Sequence, residues 1–152
     1  MTIMNKDLND LLDLNDPPLE APPFLKILGF KGASMADDRT SFTCKFLPST
    51  ELTHSNGTIV QGGFVAGMLD ATMAQFMIVM SQGQRIPLTL DITITYLLPC
   101  VPNQDIEVIS TILKNGRSIA FSEAKLYQAN KLVALSSASN KMVDITGKAE
   151  NP

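Results

Sequence analysis

"HSNGTIVQGGFVAGMLDATMAQFMIVM", residues 54–80, is the stretch on which the fold turns. Its Phe, Val, Ala, Met and Leu residues run almost all the way round a helical projection. That pattern predicts a helix over 63–80 that is enclosed by the rest of the chain rather than laid on a surface. Gly62-Gly63 opens it and Ser81-Gln82-Gly83 closes it. Such a helix needs a sheet around it, and the sequence downstream supplies strands. Leu88, Leu90, Ile92, Ile94 and Tyr96 alternate with Thr89, Asp91, Thr93 and Thr95. This is the two-residue period of a strand, and it puts Thr89 on the face of Thr93 and Thr95. Pro99 and Pro102 bound this strand. Residues 105–114, 118–128 and 131–143 read as three more strands. Asn115-Gly116 and Ala129-Asn130 mark the turns of an antiparallel meander.

Upstream, residues 31–47 read as two strands joined near Asp37-Asp38, residues 24–29 as a short turn or helix, and 48–61 as a polar loop. Met4, Leu8, Leu11 and Leu12 predict a short amphipathic helix over 3–14, and Pro17-Pro18 and Pro22-Pro23 a stiff connection after it. The reading is therefore α+β, with one long helix wrapped by an antiparallel sheet in a domain spanning 23–145. Residues 1–22 precede it and 146–152 form a flexible tail.

Bulk properties narrow the function. Of 152 residues, 45% are apolar and 18% charged, which indicates a globular chain with a real core. The net charge of −3 and the lack of a basic run argue against nucleic acid as a partner. Cys44 and Cys100 have no CxxC spacing, and there is a single histidine. A zinc site and a disulfide framework are both disfavoured, and no cofactor is expected. No apolar run reads as a membrane span, and the N-terminus is too acidic for a signal peptide, so a cytoplasmic protein is expected. No Walker A sequence or GxGxxG occurs, and Gly116-Arg117-Ser118-Ile119-Ala120 is not a nucleophile elbow.

Asp70 is the one acid in the oily helix. An ionised carboxylate in such surroundings is costly unless it is paired. It could face a polar pocket, pair with a cation across the fold, or do chemistry. The glycines at the helix start favour chemistry. The first amides of a helix lack internal acceptors, and glycine lets a substrate oxygen come close to them. A carbonyl that gains negative charge is well served there. Gly62 and Asp70, however, lie about 12 Å apart along one helix. For both to act on one bond, Asp70 must come from a second chain. Two antiparallel helices in a symmetric dimer would meet this condition, with two sites at the interface.

The glycine pair with Asp70, "TLDITITYLLP" (89–99), "LKNGRSIAF" (113–121) and "LVALSSASNKMV" (132–143) together resemble the hotdog-fold acyl-CoA thioesterases of the phenylacetic-acid-degradation type. The likeness runs from about Pro23 to Val143. It implies a curved antiparallel sheet around a central helix, assembled as a homodimer and often a homotetramer. It implies hydrolysis of acyl-CoA with Asp70 as general base or nucleophile, the Gly62 N–H polarising the thioester carbonyl, and Thr89 orienting the water. Gly63 belongs to the same glycine pair. Relatives often carry histidine just before that pair, where this chain has Gln61, and asparagine six residues earlier, where it has Ser55 followed by Asn56. Asn56 or His54 would then contact the carbonyl or the water, and Gln61 can still donate a hydrogen bond. Lys114 and Arg117 flank a turn where two cations could attract the coenzyme A phosphates. The alternatives are an acyl-CoA hydratase or dehydratase of the same fold, against which Gln61 argues, and a non-catalytic acyl-CoA binding module.

Overall fold

Thr72, Met73 and Phe76 sit buried in the middle of the long helix, and the sheet closes round them. The computed structural model describes residues 22–54 and 56–145. The helix expected over 3–14, the Pro17-Pro18 connection, Ser55 and the 146–152 tail lie outside the described residues.

A short helix, α1 (Pro23–Ile27), begins at a proline and ends on Gly29. Gly29 has φ +80°, and a Cβ there would lie 2.0 Å from the Leu47 carbonyl oxygen, so glycine is required where the chain turns into the sheet. β1 (Phe30–Met35) and β2 (Phe42–Phe46) pair antiparallel, as the sequence predicts. The expected loop over 48–61 contains a 3₁₀ turn at Thr50–Leu52 and a Thr53–Val60 bridge. α2 (Gly62–Met80) then crosses the molecule. β3 (Arg85–Tyr96), β4 (Ile106–Asn115), β5 (Ile119–Gln128) and β6 (Lys131–Asp144) complete a six-stranded sheet in the order β1-β2-β4-β5-β6-β3, with every paired neighbour antiparallel.

The meander β4-β5-β6 forms as expected. β3 docks on β6 instead of β4, which leaves β3 as an edge strand. By length and composition α2 could cross a membrane, contrary to the sequence reading. Here its Val65, Met68, Leu69, Met73 and Phe76 pack into the core with Phe46, Val108 and Leu126 of the sheet. Phe42 and Phe76 stack at 5.7 Å.

β3 departs from simple alternation. Thr89 lies opposite Asn140 and Asp91 opposite Ser139, so Leu90 is an extra residue, a β-bulge. Paired residues share a face. The bulge therefore puts Thr89 on the inner face with Ile92 and Ile94, not on the outer face with Thr93 and Thr95 as strict alternation predicted.

Candidate active site

Two polar half-sites line the side of α2 that faces β3. The first is the helix start. Gln61 is the N-cap, with extended backbone (φ −64°, ψ 137°), and its Oε1 accepts from the Gly63 amide at 2.7 Å. Gly63 is thereby satisfied within the chain. The Gly62 amide makes no hydrogen bond among the described residues. It is an orphan donor at the positive end of a 19-residue helix, and so is suited to an anionic oxygen. The Tyr96 hydroxyl donates to the Gly62 carbonyl at 2.7 Å. A Cβ on Gly62 would sit 3.3 Å from the Tyr96 ring. Sequence reading missed Tyr96 because its apolar alternation reads as a core residue.

A mostly apolar pocket of about 320 Å³ opens beside Gly62. His54, Val65, Leu98 and Cys100 are among its walls. The His54 backbone is pinned at both ends, its amide to Ile59 and its carbonyl to the Gly57 amide. Asn56 spends its side-chain oxygen on the amide and hydroxyl of Thr58, which closes the turn. Burial pushes the Cys100 thiol up to about 11, so it is protonated at neutral pH and is a poor nucleophile.

The second half-site is Asp70 with Thr89. Asp70 is half-buried on the flank of α2, and the Thr89 hydroxyl donates to its Oδ1 at 2.8 Å. One carboxylate oxygen is held and the other is left for a substrate or water. The pair exists because the bulge turns Thr89 inward. Helix and strand run antiparallel here, with Gly62 level with Tyr96 and Asp70 level with Thr89.

Lys114 and Arg117 are exposed on the β4–β5 hairpin. Arg85, at the start of β3, donates to the Arg117 carbonyl and pairs with Asp144 at 3.3 Å. Lys141 joins the cluster by donating to Ser118 Oγ at 2.7 Å. Arg85 is four residues, or about 13 Å, along β3 from Thr89. Among the described residues no three His, Cys, Asp or Glu side chains gather as a metal site would require.

Residues 50–140 match the family described as acyl-CoA thioesterase N-terminal domain. No curated protein matches the chain. Among solved structures, the fold is similar to a phenylacetic acid degradation-related protein from Ralstonia eutropha, at 22% identity and TM-score 0.75 over 91% of this chain and 100% of that one. It is similar to zebrafish thioesterase superfamily member 2, at 21% identity and TM-score 0.69 over 90% and 99% of the two chains. A Streptococcus mutans protein solved with acetyl CoA is similar at 13% identity and TM-score 0.63, over 76% and 88%. These likenesses bear out the hotdog architecture expected from the sequence.

Proposed function

The chain belongs to the acyl-CoA thioesterase N-terminal domain family, of hotdog fold, and from that premise we propose that it hydrolyses acyl-CoA thioesters at two composite sites of a homodimer. The observation that carries this reading is the Asp70–Thr89 pair at 2.8 Å on the open flank of α2, level with the exposed edge strand. Asp70 takes a proton from water, or attacks directly, and the thioester carbonyl gains negative charge. The Gly62 amide of the second copy receives that oxygen. The tetrahedral intermediate collapses, the C–S bond breaks, and coenzyme A leaves as thiolate and is protonated by solvent. Where water attacked, the free acid departs and Asp70 gives its proton to solvent. Where Asp70 attacked, water then hydrolyses the acyl–Asp70 anhydride to free acid and restores the carboxylate. Thr89 holds Asp70 and the water in line.

The dimer follows from the strand. Among the described residues β3 presents twelve residues along an unpaired edge, with Leu88 51% and Leu90 60% exposed. Long apolar edges are normally covered. A second β3 pairing antiparallel about a dyad near Ile92–Thr93 brings the Tyr96 level of one copy to the Thr89 level of the other. Asp70 then faces Gly62 across the interface, and the 12 Å gap within one helix closes. The pocket beside Gly62 accepts an apolar part of the acyl-CoA. Lys114 and Arg117, with Arg85 and Lys141, form a cationic rim for its phosphates. The acetyl CoA in the Streptococcus mutans relative supports a ligand of this class.

The test is Asp70→Asn, assayed by thiol release from acetyl-CoA and phenylacetyl-CoA. Turnover is expected to fall by roughly 10²–10⁴-fold, the scale of a lost general base, with the circular dichroism spectrum and dimer mass unchanged. Wild-type turnover in folded D70N, or hydration of an enoyl-CoA without thiol release, overturns the reading.

A further inference from the structure

Ser110 Oγ, Ser122 Oγ and Asn140 Nδ2 are buried and make no hydrogen bond among the described residues. Asn140 stands apart by position. It lies on β6 directly opposite Thr89. Cross-strand partners point to the same face with Cβ atoms about 4.5–5.5 Å apart. Ser122 is instead opposite Ala138, and Ser110 is one strand further away. Asn140 is only 2% exposed, so no second protomer can reach its amide. An amide donor buried without an acceptor is costly, and Leu or Ala would fill the same inward position at less cost.

Thr89 has the complementary vacancy. Its hydroxyl proton is committed to Asp70, which leaves its oxygen free to accept. A threonine hydroxyl with no such neighbour can rotate its proton away. One whose oxygen accepts an N–H keeps its proton on the carboxylate. We propose that Asn140 is a positioning residue for the hydrolytic site. Its Nδ2 donates to the Thr89 oxygen, by a turn of the soft asparagine χ2 or through one water, and fixes Thr89 as a donor to Asp70. Asp70 Oδ1 is then always occupied, and the second oxygen alone meets the water or the carbonyl. This inference rests on the thioesterase reading and deepens it.

The experiment is a double-mutant cycle on the full-length chain, with Asn140→Leu and Thr89→Ala, followed by thiol release. N140L is expected to lower kcat about tenfold, the value of one positioning hydrogen bond, with KM changed by less than about twofold. Its urea midpoint is expected to change little, because one hydrogen bond of modest net value is exchanged for apolar filling and Thr89 keeps its bond to Asp70. The T89A/N140L pair falls no further than T89A alone, since one residue acts through the other. Ser122→Ala, at an equally buried and unpaired site, keeps wild-type kcat. If N140L does not fold, Asn140→Ala carries the same cycle. Wild-type kcat in the folded variant, or losses that multiply in the double mutant, overturn the role. A dead D70N beside a fully active N140L sinks only the role of Asn140; an active D70N sinks the thioesterase reading itself.

Discussion

In the proposed mechanism Gly62 acts through its backbone, so that role is best probed by a residue that lacks the N–H. Proline is favoured at the first helical position, and the extended Gln61 (φ −64°, ψ 137°) is a conformation that a following proline accepts. The cost is the Tyr96 ring, which must give by a few tenths of an ångström. Gly62→Pro is therefore expected to keep the helix and lower kcat by roughly 10²–10³-fold, the value of an oxyanion donor, read by thiol release alongside circular dichroism. The two thiols make a separate prediction. Burial raises Cys44 to about 12 and Cys100 to about 11, from an ordinary 9.0. A folded value above the unfolded one means a stability contribution that is complete below pH 9 and lost as pH rises through 11 to 12. Urea midpoints measured from pH 8 to 11 should fall more steeply for wild type than for a Cys44→Ala/Cys100→Ala variant.

The β5–β6 hairpin turns on Ala129 (φ +50°) and Asn130 (φ +60°), both left-handed. Two such residues are what a two-residue hairpin turn of this hand needs, but alanine is a poor occupant of the first. Ala129→Asn is expected to stabilise the protein by about 0.5–1 kcal/mol, seen as a higher urea midpoint with unchanged hydrolysis. This hairpin was legible in the sequence, as were α2, the β4-β5-β6 meander and the early β1-β2 pair, because each follows a local period or turn signal. The placement of β3 beside β6 was not legible, since strand order is a long-range choice that no local pattern encodes. The bulge was hidden for a related reason. Leu90 fits a period of two perfectly, and only the register against β6 reveals it as the extra residue. Asp70 and the glycine pair stood out as exceptions to their surroundings. Thr89 was reached by resemblance and placed on the wrong face, while Tyr96 and Asn140 looked like ordinary strand residues.

At the scale of the whole molecule, the proposed dimer makes one protomer the holder of two halves of two different sites. Gly62 with its pocket lies at one level of β3, Asp70 with Thr89 at another, and among the described residues nothing within a single chain brings them together. A site shared across a dyad has a signature that a site within one chain cannot imitate. Consider D70N and G62P, each nearly inactive alone. In a heterodimer of the two, one site takes Gly62 from the D70N chain and Asp70 from the G62P chain, and is intact. The other site takes both defects. Equal amounts mixed, unfolded and refolded together give half heterodimers, each with one working site of two. About a quarter of wild-type activity per chain is then recovered. Thiol release after co-refolding reads this directly, with each variant refolded alone as the baseline. Recovery near a quarter assigns the two halves to different chains. No recovery, from mixtures that native mass spectrometry confirms as heterodimers, places the reaction within one chain and removes the dimer from the mechanism.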